Sequence, residues 1–366
     1  MRLKFFIITM LWGCFCFAQE TKKQKPYTID ASPFYGAVLL HNPNISHLIT
    51  TNPSGFMLGF NRKTYGEKTW ESLYNYPDYG ASFVYQNMHS ETLGEHYAFY
   101  AHYNFYFFKR TLQLRAAQGL AYATKPYDKN SNFRNNAYGS RILSATYLTL
   151  NYQREHVYKQ LGVKVGFSII HFSNGNFKAP NTSTNTLAFN VGLVYSFSDE
   201  MEIPYKKAEN SIEKLDVLRY NVVLRGGVNE SDVIGSGQYG FVVVTTFVEK
   251  QINRKGKIQF GVDFFFSNFL KELIRYQSIA FPELDVTADS DYKRIGLFVG
   301  HELALGKNSI TTQLGYYAYY PFDFEGRLYN RIGIKRYLSD IVFCAVTLKS
   351  HAAAAEAVEF GVGFKF

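Results

Sequence analysis

The chain has little cysteine, little charge and no long apolar run that could serve as a membrane helix. It contains 3 Cys among 366 residues, and only 19% of its residues are Asp, Glu, Lys or Arg. Beyond the N-terminal segment, no stretch approaches the roughly 18 to 20 apolar residues that a spanning helix requires. The absence of a long apolar run excludes membrane-spanning helices beyond the N-terminal segment.

Residues 1–18 are expected to form a secretory signal peptide. Arg2 and Lys4 precede an apolar run at 5–17, and Cys16-Phe17-Ala18 provides a small-x-small cleavage site. Leu11-Trp12-Gly13-Cys14 is an alternative lipoprotein box, although bulky Trp12 is awkward there and the residues after Cys14 stay apolar. Cleavage after Ala18 leaves one cysteine, Cys344, and therefore no disulfide framework.

Aromatic residues, in contrast, are abundant. They make up 17% of the chain, with 29 Tyr and 33 Phe, which is typical of strands and of the interfacial girdles of membrane barrels. Apolar and polar residues alternate at 257–266, "KIQFGVDFFF", and again at 356–366, where the chain ends on an aromatic residue. A soluble sandwich would also alternate. Here the apolar face is rich in aromatic residues and the other face is small or polar, which favours a barrel with lipid outside.

The alternation predicts an all-β fold, a transmembrane antiparallel β-barrel of the outer membrane with about 12–16 strands, in which residues 19–366 form a single domain. Sixteen candidate strands lie at 27–40, 53–64, 79–89, 95–110, 111–123, 141–153, 157–173, 185–198, 217–228, 238–249, 256–267, 292–304, 308–320, 327–337, 340–350 and 356–366. No internal repeat is evident.

The connections between these strands predict which end of the barrel faces the periplasm. If the N-terminus is periplasmic, the short turns at 109–110, 306–307 and 338–339 all fall on that side. Residues 65–78 and 199–216 are long for periplasmic turns, so either the strand parity slips or they are true excursions. Residues 268–291 are expected to form an outer loop with a short helical piece.

The formal net charge of +9 comes from scattered Lys and Arg residues interleaved with acids. This pattern favours a phosphate-rich surface such as lipopolysaccharide over nucleic acid as a partner. The histidines at 89, 96 and 102 have no spacing typical of metal ligands, and there is no phosphate-binding glycine loop. We therefore expect neither a metal nor a cofactor.

One polar stretch, "HFSNGNFKAPNTSTNT" at 171–186, follows the seventh predicted strand. His171 and Ser173 continue the apolar row of that strand, and Asn185 begins the apolar row of the next strand. Polar side chains in a lipid-facing row are costly and so indicate a function. A nucleophile and a base at this depth would act on a lipid.

The sequence His-x-Ser-Asn, followed by further asparagines and a third strand-borne residue, resembles the signature of the outer-membrane lipid A 3-O-deacylases, the PagL-like acyloxyacyl hydrolases. The resemblance covers roughly residues 165–198. It implies a serine esterase that removes an ester-linked acyl chain from lipid A of lipopolysaccharide in the outer membrane. By this resemblance Ser173 is the nucleophile, His171 is the general base, and Asn174 and Asn181 organise the site or the oxyanion. The family's third catalytic residue, a glutamate, falls on Asn185.

That departure leaves alternatives open. An amide can orient the histidine but stabilises its charged form less than a carboxylate does. A replacement acid would have to come from another strand or loop, and Glu91, Glu95 and Asp128 are candidates. The alternative function is a non-catalytic barrel, either a channel or a lipid-binding protein, that retains the motif.

Overall fold

The computed structural model describes residues 26–198, 205–207, 218–284 and 286–366. The predicted signal peptide lies outside the described residues, as does most of 199–216.

The described strands form two closed antiparallel barrels of eight strands each. The first barrel contains β1 (Tyr27–Val38), β2 (Ser54–Arg62), β3 (Asp78–Asn87), β4 (Glu95–Phe107), β5 (Leu112–Ala123), β6 (Ile142–Tyr158), β7 (Leu161–Ser173) and β8 (Thr184–Ser196). The second contains β9 (Leu218–Asn229), β10 (Tyr239–Gln251), β11 (Gly256–Ser267), β12 (Arg294–Leu305), β13 (Asn308–Tyr319), β14 (Leu328–Tyr337), β15 (Val342–His351) and β16 (Ala354–Lys365).

Within the described residues, helices occupy only the connections between strands. Two are α-helices, α1 (Thr69–Leu73) and α2 (Asn268–Ala280), and two are 3-10 helices, Pro43–Leu48 and Pro282–Leu284. Helix α2 confirms the helical piece expected in the connection at 268–291. Among the residues that the structure describes, no helix is long and apolar enough to cross a membrane.

The all-β, antiparallel fold and the strand positions are confirmed, but the structure differs from the expected single barrel. β1 pairs with β8, and β9 pairs with β16, so each set of eight strands closes on itself. An eight-stranded barrel is just wide enough for side chains to fill its interior, so each set can bury its own polar face. Period-two alternation reports which way a side chain faces and carries no information about which strands meet at the seam.

Side chains alternate between the outside and the interior along every strand. In β7, Val163, Val165 and Phe167 are exposed while Lys164, Gly166 and Ser168 are buried. The exposed rows are mostly apolar in both barrels, as expected for walls in contact with lipid.

The interior of the first barrel is filled by paired charges and amides. Asp30 accepts hydrogen bonds from Arg115, at 2.6 Å, and from Lys164, and Asn61 bonds to both Asp30 and Arg115. Buried charges are tolerated when they are paired in this way.

The second interior follows the same principle with different residues. Arg331 donates to Asp263 at 2.8 Å and to Glu359 at 2.6 Å. Nearer one end, Lys335 donates to Glu302 at 2.9 Å. Both lumens are therefore occupied by side chains.

The two barrels contact each other at both ends. At one end Asn308 Nδ2 donates to the Tyr103 hydroxyl at 2.9 Å, and Gly306, with φ +69°, lies so close to Trp70 that a Cβ would be 2.8 Å from its ring. At the other end the β7–β8 connection meets the β9–β10 connection.

Each barrel has an even number of strands, so the chain enters and leaves each barrel at the same end, and the predicted alternation of strand directions holds. The 65–78 segment, which carries α1, lies at the same end of the first barrel as the 109–110 turn. The contact between Trp70 and Gly306 brings the 306–307 turn of the second barrel to that end as well.

Candidate functional site

The residues singled out in the sequence lie at one end of the first barrel, on β7, β8 and the connection between them. His171 is paired directly with Asn185 in the β7–β8 register. Both continue outward-facing rows, since Ile169 and Leu187 next to them in these rows are exposed, whereas Ile170 and Phe172 on the other face are fully buried. The histidine and the asparagine therefore lie on the outer wall.

Asn185 holds the histidine ring. The His171 Nδ1 and Asn185 Oδ1 atoms are 2.7 Å apart. An amide oxygen can only accept a hydrogen bond, so this contact puts the proton on Nδ1 and leaves Nε2 as the basic nitrogen of the neutral ring.

Ser173 is bonded to the loop rather than to the histidine. Its Oγ donates to Asn181 Oδ1 at 3.0 Å and accepts from the Gly175 N–H at 3.0 Å. No hydrogen bond joins Ser173 to His171 in the described part of the chain. Contacts between a serine and a histidine of this kind often form or tighten only when substrate binds.

The β7–β8 loop gathers several hydrogen-bonding groups around Ser173. Asn181 Oδ1 accepts a second bond, from the Asn174 N–H at 2.9 Å, and the Asn174 side chain donates to the Lys178 carbonyl. Gly175 and Asn176 both have φ +63°, a conformation that glycine and asparagine tolerate best. This turn directs the N–H groups of Asn174 and Gly175 back toward the serine.

The outward polar patch is wider than the sequence reasoning predicted. Thr146 on β6 is the register partner of His171, and Gln118 on β5 is the partner of Thr146. Ser144 on β6 lies opposite Ser173. Gln118 accepts from the Thr146 hydroxyl and donates to Ser144 Oγ at 3.0 Å.

We call Gln118, Ser144 and Thr146 the β5–β6 polar group. These three residues interrupt apolar outward rows, so the signal that reveals them is the same one that singled out His171. The sequence alone did not single out these three residues, because none has a typical catalytic side chain in a recognisable motif.

None of the acids considered in the sequence reaches the histidine. Glu95 accepts hydrogen bonds from the hydroxyls of Tyr85 and Tyr97, and Glu91 is exposed in the β3–β4 connection. The backbone N–H groups of Ser131 and Asn130 donate hydrogen bonds to the Asp128 carboxylate and hold its pKa below the usual value. Among the described residues, no carboxylate is hydrogen-bonded to His171.

The other histidines have structural surroundings. His96 is buried, stacked on Phe172, and His102 bonds to Ser82 and Asn61 in the lumen. Within the described ranges, no group of three or more His, Cys, Asp or Glu side chains is arranged to hold a metal ion.

Two closed antiparallel barrels with apolar outer walls and polar interiors have the architecture of outer-membrane β-barrel proteins. The family model described as lipid A 3-O-deacylase (PagL) matches residues 54–194, and the model described as acyloxyacyl hydrolase, C-terminal domain, matches residues 218–366. Each match falls on one of the two barrels. The chain belongs to the PagL-like lipid A 3-O-deacylase (acyloxyacyl hydrolase) family.

Comparison with other proteins adds little. None of the curated proteins matches the chain. Among solved structures, two mutants of the Rhodopseudomonas blastica porin are each 9% identical to this chain and cover 93% of it and 100% of their own length, with a TM-score of 0.19. A TM-score this low does not indicate a shared fold.

Proposed function

We propose that this protein is an outer-membrane serine esterase that removes an ester-linked acyl chain from lipid A of lipopolysaccharide. The observation that carries the proposal is the placement of His171 and Asn185 on the outward side of adjacent strands at one end of the barrel, with Ser173, which is 7% exposed, two residues further along the β7 row. A lipid ester can reach that wall from the bilayer, and polar groups at such a position are costly without a function.

The reaction divides into acylation and deacylation. Ser173 Oγ leaves Asn181, gives its proton to His171 Nε2 and attacks the ester carbonyl carbon. The alkoxide of the sugar then leaves and takes the proton from His171. A water molecule, deprotonated by the same nitrogen, attacks the acyl carbonyl carbon. Ser173 Oγ then leaves, takes that proton back from His171, and the fatty acid is released.

Two groups support these steps. The Asn185 amide oxygen keeps Nδ1 protonated and the ring oriented throughout. The Gly175 N–H donates to Ser173 Oγ and the Asn174 N–H donates to Asn181 Oδ1, and these two N–H groups become donors for a developing oxyanion once Ser173 Oγ and Asn181 separate. The β5–β6 polar group extends this patch along the wall, where it would contact the polar part of the lipid.

The alternative, a lipid-binding barrel that retains the motif, has one observation in its favour. In this state Ser173 is bonded to Asn181 rather than to its base, and the family's glutamate is Asn185. The channel alternative has less support, because side chains occupy both lumens.

Mass spectrometry of lipid A from cells making each variant tests the proposal. Lipid A from wild-type cells should lack one ester-linked acyl chain, and cells making Ser173→Ala should retain it, because the nucleophile is gone. Ser168→Ala is the matched control, since Ser168 lies on the same strand but faces the lumen.

Cells making Ser168→Ala should therefore have the wild-type pattern. Identical lipid A in cells with the wild type, with Ser173→Ala and with no protein would refute the esterase and favour the lipid-binding barrel.

A further inference from the structure

A carboxylate of the second barrel reaches the loop that surrounds the candidate nucleophile of the first. Glu230, at the start of the β9–β10 connection, has 3% of its surface exposed. Its Oε2 accepts from the Ala179 N–H at 2.9 Å, and its Oε1 accepts from the N–H groups of Gly235 at 3.1 Å and Gly237 at 3.2 Å.

The backbone of Glu230 adds two more bonds across the barrel interface. Its N–H donates to the Asn176 carbonyl at 3.1 Å, and its carbonyl accepts from Asn176 Nδ2 at 3.0 Å. Gln238 Nε2 donates to the Phe177 carbonyl at 2.8 Å. The second barrel therefore holds three residues of the β7–β8 loop, Asn176, Phe177 and Ala179.

The bonds of Glu230 lead directly to the serine. Ala179 is separated from Asn181 by one residue, Pro180, and Asn181 Oδ1 is the acceptor for both Ser173 Oγ and the Asn174 N–H. The Glu230 bond to Ala179 therefore lies two residues along the chain from the amide that contacts the serine.

The chemistry of Glu230 makes this contact demanding. Within the described residues, no Lys or Arg forms a salt bridge with its carboxylate, and three backbone N–H groups satisfy the charge instead. A buried carboxylate needs such donors, and charge-assisted bonds of this kind are stronger than neutral ones. Loss of one donor is thus costly, and this cost holds the β7–β8 and β9–β10 connections in contact.

The second barrel has no comparable dyad of its own among the described residues. Its seventh strand, β15, ends in Ser350 and His351. Ser350 Oγ accepts from Asn330, while His351 is buried in the lumen beside Tyr317 and Glu356. These contacts suit a supporting role for the second barrel.

We infer that Glu230 is a positioning residue: through Ala179 it holds the loop that keeps Asn181 against Ser173, so the second barrel completes the site of the first. The inference rests on the proposed esterase function. It differs from a general contribution to folding, because it predicts an effect that passes through one specific residue, Asn181.

A double-mutant cycle in the full chain tests this route. In Glu230→Gln an NH2 group replaces one accepting oxygen, so either the Ala179 N–H or the N–H groups of Gly235 and Gly237 lose their acceptor. We expect kcat to fall by about tenfold with KM for lipid A within about twofold, because positioning affects the chemical step. Asn181→Ala should lower kcat similarly, and the double variant should be no more than about twofold below Asn181→Ala.

Asp232→Asn is the matched control, since it removes a carboxylate two residues away that is exposed and bonds to no part of the β7–β8 loop. It should keep the wild-type kcat and KM. A wild-type kcat in Glu230→Gln, or a double variant with fully additive losses, would overturn the inference.

Hydrogen exchange of peptides covering 174–183 tests the same contact without activity. Exchange in Glu230→Gln should be faster by about tenfold than in the wild type and in Asp232→Asn, because the loop opens locally more often. Unchanged exchange would overturn the inference whether or not the protein is an esterase. Inactive wild-type protein with the expected acceleration would instead refute the esterase while leaving the loop contact intact.

Discussion

At the scale of single residues, the proposed mechanism depends on how well Asn185 supports His171 as a base. Its amide oxygen orients the ring from 2.7 Å but carries no full charge. In the proposed reaction, the imidazolium is therefore stabilised less than it would be by a carboxylate. Asn185 can orient the ring but supplies no full negative charge to the protonated form.

A carboxylate in place of the amide should supply the negative charge that stabilises the protonated histidine. We expect Asn185→Glu to raise kcat by about tenfold or more, since in serine proteases the reverse change at the corresponding residue costs roughly 10⁴. Asn185→Leu should lower kcat below the wild type, because Nδ1–H loses its acceptor. The measurement is fatty acid release from lipid A by purified protein, and equal rates for the three proteins would contradict this role of Asn185.

At the scale of elements, the four strands β5 to β8 present polar side chains in one cross-strand row. Gln118, Thr146, His171 and Asn185 are successive register partners along this row. Only a sheet with fixed register brings them together, since a slip by one residue would turn each set to the lumen.

The β5–β6 polar group should therefore affect substrate binding more than chemistry. We expect Thr146→Val and Gln118→Leu each to raise KM for lipid A by about twofold to tenfold, the usual effect of losing one hydrogen bond, with kcat little changed. Thr149→Val is the control, because Thr149 lies on β6 but bonds to Ser168 inside the barrel. A KM equal to that of Thr149→Val would remove these residues from the binding surface.

At the scale of the whole molecule, the division of sixteen strands into two barrels determines what the protein can transport. The lumens hold buried ion pairs, Asp30 with Arg115 and Lys164 in one and Arg331 with Asp263 and Glu359 in the other. Eight strands enclose only enough space for such side chains, whereas porins of 16 or more strands enclose an aqueous channel.

Purified protein should consequently give no stepwise ion conductance in planar bilayers. A porin of about sixteen strands, reconstituted in the same bilayers, shows that channels are detectable. Reproducible conductance steps from this protein would contradict the filled lumens and restore the channel as its function.

Much of this molecule follows from local patterns. Alternation in stretches such as 257–266 located all sixteen strands, because side-chain direction along a strand depends only on the residue's own position. The same rule placed His171 in an outward row. Residues 199–216, which are polar and separate the eighth strand from the ninth, were the one indication of a boundary between barrels.

By itself, the sequence determined where the strands lie, the direction of their side chains and the outward row to which His171 belongs. Tertiary structure alone decided that the strands close as two barrels, that Ser173 bonds to Asn181, and that Glu230 of the second barrel holds the β7–β8 loop. The physical reason is how far apart in the sequence the interacting residues lie. Side-chain direction is set within two residues along a strand, whereas barrel closure and the burial of Glu230 depend on partners that are distant in the chain.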